Sequence, residues 1–272
     1  MDVICAVDGS PASVGVVGYA ADVAARIGAT LRILRAVQVA DPLFVTAGVV
    51  RAMDDPAERR EHVLERARQQ LDDLCDGVKG VVATSELRQG APDSAVLEAV
   101  VEHDGRLVVL GTRAQRGGRH APGSDAQRII RRAPCPVAVV PFGYERRLSD
   151  KPTILIGIRG GDREDAAAAV REAEKLEELL HAELVLAHSS REGGAAAWLD
   201  QLAGNRRHFA SQGDPARELL RIAAEIDADA ITVAPRGHGQ LRQALLGSVS
   251  KALLSAGERP VFVIPRTHKS AG

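Results

Sequence analysis

The sequence predicts an α/β protein made of two doubly wound domains, each built on a five-stranded parallel sheet. Short apolar segments alternate with longer amphipathic ones along the chain, which is typical of β-α-β units with helices on both faces of a sheet. The chain also repeats itself, because segment 89–113 is echoed motif by motif by segment 212–236. A length of 272 residues with 45% apolar content is enough for two cores. We therefore divide the chain into half one, residues 1–146, and half two, residues 152–267.

Each half contains five strand candidates, recognised as short apolar runs between turn residues. In half one they are residues 3–7, 31–36, 81–87, 107–110 and 137–140. In half two they are residues 154–158, 183–188, 207–211, 230–233 and 261–264. Five strands in equivalent places indicate that the two halves are copies of one domain.

The first helix of each half follows the first strand. In half one, Ser10 is placed to cap a helix that has Pro11 in its first turn, and Gly28 is placed to end it. In half two, Asp162 can cap the corresponding helix. Its inward face is predicted from the helical spacing of five apolar residues: Ala166, Val170, Ala173, Leu176 and Leu180.

The two halves differ most in the connection between their second and third strands. In half one, residues 55–74 predict a charged helix with an inward face made of Val63, Leu64, Ala67 and Leu71. Half two keeps only a short segment, 195–202, so its second crossover is shortened. Further along, Pro92 and Pro215 each begin a helix directly after a strand. The polar segment 142–152 predicts the linker between the halves.

Composition argues against several classes of partner. A net charge of −1 and 3% aromatic residues offer neither a basic field nor stacking platforms for nucleic acid. We find no apolar stretch long enough to cross a membrane and no basic targeting region, so we expect a cytoplasmic protein without a membrane partner. The three cysteines have no metal or redox spacing, and the eight histidines have no metal-ligand spacing. No metal site is predicted.

A ligand site is expected where the strand order reverses. In doubly wound sheets, ligands bind beyond the carboxyl ends of the strands at this point. If the first and fourth strands are neighbours there, two loops form the site in each half. The loop after the first strand holds Asp8 in half one and Arg159 in half two. The loop after the fourth strand opens with Gly111 or Ala234.

The loop after the fourth strand of half two carries a glycine motif. Gly237 is followed by nine residues and then by Gly247, Ser248 and, two positions on, Ser250, at the start of a helix. Glycines let backbone amides approach an anion, and the amides at a helix N-terminus can hold phosphate groups. A serine that only caps the helix is the alternative interpretation of this motif.

In sequence order, these motifs resemble the universal stress protein family. The first strand ends in Asp8-Gly9-Ser10, a Gly-x-Pro turn precedes a helix, a glycine loop ends in Gly-Ser, and the last strand opens with Pro-Val. The resemblance covers essentially the whole chain, twice. It implies an adenine-nucleotide alpha-hydrolase-like fold with strand order 3-2-1-4-5 and two halves paired through their last strands as an internal pseudo-dimer. A further homodimer stays open.

In one branch of this family the resemblance also implies ATP binding. The aspartate after the first strand then lies by the nucleoside, the first glycine by the ribose, and the later Gly-Ser on the phosphates. Half one keeps four of these residues: Asp8, Gly111, Gly123 and Ser124. However, Ala114 stands where the second glycine belongs. Asp125 adds a negative charge near the phosphates, which Arg113 and its neighbouring arginines could partly offset.

Half two has the opposite defect. It retains the phosphate side of the motif: Gly237, Gly247, Ser248 and Ser250. Arg159 replaces the aspartate, and Ala234 replaces the first glycine. The forked donors of Arg159 could grip a phosphate or sulfate, or this side chain could point to solvent or pair with Asp162.

We therefore expect a non-catalytic stress-response sensor or regulator with degenerate ATP-binding sites, in which nucleotide binding is weak or absent. ATP, another adenine nucleotide or a small anion is the candidate ligand. If only one half binds an anion, we expect it to be half two, whose phosphate loop is intact. An ATP-hydrolysing protein and a pure interaction scaffold are the alternatives. Against an enzyme, neither loop presents a poised carboxylate base or an evident metal ligand. The protein partner stays open.

Overall fold

A computed structural model of the chain describes residues 1–38, 56–114, 120–158, 163–191, 196–233 and 247–265. In half one the elements alternate as predicted, with a short two-stranded hairpin added after the fourth sheet strand. In order they are β1 (Asp2–Ala6), α1 (Ser13–Ile27), β2 (Thr30–Val37), α2 (Pro56–Asp76), β3 (Ala83–Gln89), α3 (Pro92–Glu102), β4 (Gly105–Gly111), β5 (Arg113–Ala114), β6 (His120–Ala121), α4 (Ser124–Arg132) and β7 (Val137–Val140).

Half two repeats the alternation of strands and helices, with a second crossover helix much shorter than α2. Its elements are β8 (Thr153–Ile158), α5 (Arg163–Leu180), β9 (Glu183–Ser190), α6 (Ala196–Ala203), β10 (His208–Gln212), α7 (Pro215–Glu225), β11 (Ala230–Val233), α8 (Ser248–Ala256) and β12 (Val261–Val263).

Ten strands form one continuous sheet in the order β10-β9-β8-β11-β12-β7-β4-β1-β2-β3. Within each half the strands are parallel and follow the order 3-2-1-4-5, which confirms the predicted fold class. The halves meet through their last strands, because β12 pairs with β7 in an antiparallel register with Phe262 opposite Ala138. This confirms the predicted pairing of the two last strands.

The core lies on both faces of this sheet and runs through both halves. Within β1, Val3 and Cys5 pack into the cluster on one face, whereas Ile4 packs into the cluster on the other. Alternating side chains of a strand point to opposite faces, so a strand covered on both sides is apolar throughout. Among the described helices, none is both long and apolar enough to cross a membrane.

The start of α1 differs from the prediction. The helix begins at Ser13 after Ala12, and no side chain caps it, so the predicted Ser10 cap is wrong. The cause is local: the amide of Ser10 donates to the Asp8 carboxylate at 3.0 Å, and the Ser10 carbonyl accepts from the amide of Ser13. These bonds hold residues 8–13 in a turn. At the other end, Gly28 closes the helix at φ 64°, as predicted.

Helix α2 spans nearly the predicted segment, but its inward face is narrower than predicted. Leu64, Ala67 and Leu71 are buried, whereas Val63 is 44% exposed. The three buried residues follow the three-and-four spacing of one helical face, and Val63 lies about 100° away from Leu64 around the helix. The prediction that Val63 faces inward is therefore wrong. In α5, all five residues predicted to face inward are buried.

The linker between the halves is held by two aspartates. Asp22 of α1 accepts a hydrogen bond from the amide of Leu148 at 3.0 Å. Asp229, which precedes β11, accepts from the amide of Ser149 at 3.0 Å, from its hydroxyl at 2.9 Å, and from the amide of Thr153 at 2.8 Å. The polar segment therefore runs along the junction as a fixed strap. The domain boundaries on either side of it stay a prediction.

Candidate functional site

A cavity of about 320 Å³ opens at the carboxyl ends of β1 and β4, where the strand order of half one reverses. This volume is near the lower end of the range for small-ligand sites. Asp8, Gly111 and Gly123 line the cavity, so the structure brings together three of the four residues predicted for half one. The fourth, Ser124, is the exposed first residue of α4.

Asp8 lies at the mouth of the cavity with 47% of its side chain exposed. Its Oδ2 atom is 3.6 Å from Nε of Arg113. Partial burial acts to raise the pKa of this carboxyl, but the hydrogen bond from Ser10 and the charge of Arg113 outweigh it and lower the pKa below the ordinary value. Asp8 is therefore an ionised hydrogen-bond acceptor at neutral pH.

The two cavity glycines have different local roles. Gly111 ends β4 against α1, and a Cβ atom there would lie 2.9 Å from a methyl carbon of Val16. Gly111 thus permits close packing of the strand end on the helix. Gly123 is the N-cap of α4 and adopts an extended backbone that any residue can adopt. It leaves the start of the nine-residue helix α4 without a side-chain cap at the edge of the cavity.

Asp125 lines the cavity in the first turn of α4, where the sequence predicted an unfavourable charge near the phosphate position. Its carboxylate accepts a hydrogen bond from Arg128. The same arginine also lies 3.0 Å from the buried carboxylate of Asp93. Arg128 therefore offsets part of the charge that Asp125 brings to the cavity.

Arg35 is a cavity residue that the sequence analysis missed. It lies in β2 and lines the cavity, where its guanidinium packs over Gly9 and hydrogen-bonds to Gln70 of α2. A Cβ atom on Gly9 would displace this guanidinium, and Gly9 has a φ of 76°, a left-handed conformation that favours glycine in the turn. The available signal was an arginine two residues before the end of the second strand, since parallel strands end at the same edge of the sheet.

The hairpin β5–β6 also escaped sequence analysis, and it links the cavity to half two. Arg113 on β5 lines the cavity, and it pairs across the hairpin with Ala121. On β6, the ring of His120 packs against Gly257, the left-handed residue that ends α8. Strands of two residues have no sequence pattern that distinguishes them from a loop.

Half two is only partly described at the predicted site. Gly247 is the N-cap of α8, and Ser248 and Ser250 lie in its first turn. The alternative in which one of these serines caps the helix is therefore wrong. Arg159 and Gly237 lie outside the described residues, so their predicted roles stay predictions.

One group of potential metal ligands lies apart from the cavity. Single ligand atoms of Glu86, Glu102 and His103 lie within 4.8 Å of one another. Arg32 is 3.4 Å from Glu86, and Arg88 is 2.7 Å from Glu102 and also bonds to Glu86. With two guanidinium groups already on these carboxylates, the group is an ion-pair network and not a built metal site.

The strand order and the cavity at the reversal point fit the adenine-nucleotide alpha-hydrolase-like α/β fold, and the comparisons with known proteins assign the chain to this class. The model of the universal stress protein family matches residues 1–141 and 196–265. A universal stress protein of Mycobacterium tuberculosis (strain H37Rv) is 30% identical over 205 residues, which cover 66% of this chain and 68% of the relative. The chain therefore belongs to the universal stress protein family, and this membership supports a role in the stress response.

Solved structures agree with the fold of the whole chain. A universal stress protein from Archaeoglobus fulgidus has a TM-score of 0.66 at 20% identity and covers 98% of both chains. A second structure, from Pseudomonas aeruginosa, is described as a putative universal stress protein. It has a TM-score of 0.57 at 13% identity and covers 97% of this chain and 91% of its own. Both similarities extend over the two halves.

Proposed function

We propose that this protein is a non-catalytic regulator of the stress response that binds an adenine nucleotide weakly in the cavity of half one. The observation that carries the proposal is the cavity at the ends of β1 and β4, with Asp8 on one side and the start of α4 on the other. The carboxylate of Asp8 can accept hydrogen bonds from a nucleoside. The amides at the start of α4 can donate to a phosphate.

Weak binding is expected because the phosphate side of the cavity is incomplete. Ala114 replaces the second glycine of the loop, and the acidic side chain of Asp125 lines the cavity. Each lost charge-assisted or backbone hydrogen bond weakens binding by roughly tenfold or more. Two such losses of about thirtyfold each, within the range expected for bonds to charged groups, move a micromolar site to about 1 mM.

A non-catalytic role is favoured by the state of the cavity carboxylates. Asp8 is paired with Arg113, and Asp125 with Arg128. A general base works best with a pKa near the operating pH, whereas the pKa of Asp8 is held below its already low ordinary value. Within the described part of the cavity, therefore, no lining carboxylate is poised to activate water for phosphoryl transfer.

Titration calorimetry with ATP and AMP on the full chain tests the proposal. We expect millimolar dissociation constants and no release of phosphate from ATP. Gly123→Val and Gly247→Val form a matched pair, since each glycine is the N-cap of a nine-residue helix at the corresponding place in its half. Loss of binding in Gly123→Val alone supports the cavity of half one.

Three other outcomes would contradict the proposal. Loss of binding in Gly247→Val alone would place the ligand in half two, as the sequence analysis predicts for a bare anion. Steady phosphate release that Asp8→Asn abolishes would make the protein an enzyme. Absence of binding by any adenine nucleotide would favour an interaction scaffold.

A further inference from the structure

The guanidinium of Arg113 lies between Asp8 and the start of α4, at the exposed side of the candidate site in half one. Its Nε atom is 3.6 Å from the Asp8 carboxylate. A Cβ atom built on Gly123 would lie 3.5 to 3.7 Å from three atoms of the same guanidinium. Arg113 therefore bridges the nucleoside side and the phosphate side of the cavity, directly before the position where Ala114 replaces the second loop glycine.

Arg113 lies beside the positive end of α4 and has one carboxylate, that of Asp8, as its partner in the described structure. A helix N-terminus carries partial positive charge, so a cation beside the start of α4 is unfavourably placed. Asp125, the acidic residue in the first turn of α4, is engaged by Arg128. Asp8 is thus the carboxylate that the described structure pairs with Arg113. An anion between this guanidinium and α4 would be attracted by both.

The pair formed by Asp8 and Arg113 is weak enough to exchange. The two side chains are 47% and 66% exposed, and ion pairs exposed to this degree contribute little to stability. The backbone of Arg113 is held in the hairpin by its pairing with Ala121, so the guanidinium can change partner without movement of the strand. A guanidinium also binds phosphate through two parallel hydrogen bonds, which strengthens the competing contact.

We infer that Arg113 exchanges Asp8 for the phosphate group of the ligand when the cavity is filled. Arg113 is then the residue that makes the site prefer phosphorylated nucleosides, and Asp8 is an internal competitor for the same guanidinium. The inference rests on the proposed binding of an adenine nucleotide in half one. It also assigns a role to an arginine that stands in a degenerate glycine loop.

The test compares AMP with adenosine, titrated by NMR against the wild type, Arg113→Gln, Asp8→Asn and a control. Arg106→Gln is the matched control, because it removes one exposed positive charge at the amino end of β4, on the edge of the sheet opposite the cavity. Arg113→Gln should weaken AMP binding about tenfold or more and leave adenosine unchanged, since it removes a charge-assisted bond to phosphate. Asp8→Asn keeps the size of the side chain and should raise the AMP-over-adenosine preference by up to about fivefold.

A second readout follows the guanidinium itself. The Nε–H resonance of Arg113 should shift on addition of AMP but not of adenosine. Equal preference for AMP over adenosine in Arg113→Gln and the wild type would overturn the exchange while leaving nucleotide binding in place. If Arg106→Gln weakened AMP binding as much as Arg113→Gln, the effect would come from net charge and the exchange would be overturned. If neither ligand bound the wild type, both proposals would be overturned.

Discussion

Replacing Asp229 by asparagine should loosen the strap between the halves. Asp229 is 5% exposed, and its carboxylate accepts three hydrogen bonds, one at Oδ1 from the amide of Ser149 and two at Oδ2 from the Ser149 hydroxyl and the Thr153 amide. An asparagine side chain has only one accepting oxygen. Whichever way it is oriented, either the amide of Ser149 or the amide of Thr153 faces an NH₂ group.

The size of the effect follows from the bonds that are lost. A hydrogen bond to a charged group contributes about 1.5–3 kcal/mol, and the bonds that remain are weakened to neutral ones. We therefore expect the free energy of unfolding to fall by about 2–3 kcal/mol. Asp227→Asn is the matched control, because Asp227 pairs with Arg146 and Arg259 at a side chain that is 72% exposed. It has a φ of 50°, which asparagine tolerates, so its loss should stay below about 1 kcal/mol.

Urea unfolding followed by circular dichroism measures both variants against the wild type. The midpoint for Asp229→Asn should fall clearly below that for Asp227→Asn. Equal midpoints for the two variants would refute the reasoning, because the three bonds of Asp229 would then contribute no more than an exposed ion pair.

Two further predictions concern packing and thiol chemistry. Gly28 and Gly257 both end helices at left-handed φ angles of 64° and 67°, but a Cβ atom would meet nothing within 4 Å at Gly28 and would overlap His120 at Gly257. In thermal unfolding, Gly28→Ala should lower the free energy of unfolding by about 1 kcal/mol, and Gly257→Ala should lower it by about 1–3 kcal/mol more. Equal losses in the two variants would contradict the contact with His120. Burial raises the pKa of Cys135 to about 12 and that of Cys5 further still, and burial with nearby Asp72 and Asp76 also raises the pKa of Cys75. At pH 8 a colorimetric thiol reagent should therefore find at most one slowly reacting thiol in the native chain and all three in denaturant, and rapid native reaction of two thiols would contradict this burial.

Much of the fold was predictable because the hydrophobic periodicity and the positions of turn and helix-ending residues agree along the chain. The strand at Val137–Val140 and the strand at Ala230–Val233 were predicted to the residue. The predicted start of α1 is wrong because a local side-chain contact competes with the usual capping of a helix by serine. The Asp8 carboxylate captures the amide of Ser10 and delays the start of α1, a side-chain contact that pattern analysis does not weigh.

The candidate site was predictable in its position but not in its contacts. Asp8, Gly111 and Gly123 were expected at one edge of the sheet, and all three line the cavity. Whether Arg35 reaches the cavity depends on the register between β1 and β2. The pairing of Arg113 with Asp8 depends on side-chain geometry. Neither quantity is encoded in hydrophobic period or in motif spacing.

The antiparallel pairing of β7 with β12 has a consequence for which halves can associate. Ala138 and Phe262 are equivalent positions of the two halves, and they face each other at the centre of the seam, fully buried. Two copies of half one would oppose alanine to alanine and leave a void, whereas two copies of half two would crowd phenylalanine against phenylalanine. The small and large side chains fit only when unlike halves meet. The pairing of β7 with β12 therefore favours association of half one with half two over association of like halves. The strap keeps the two halves of one chain at high local concentration, so each half finds the other within the same chain.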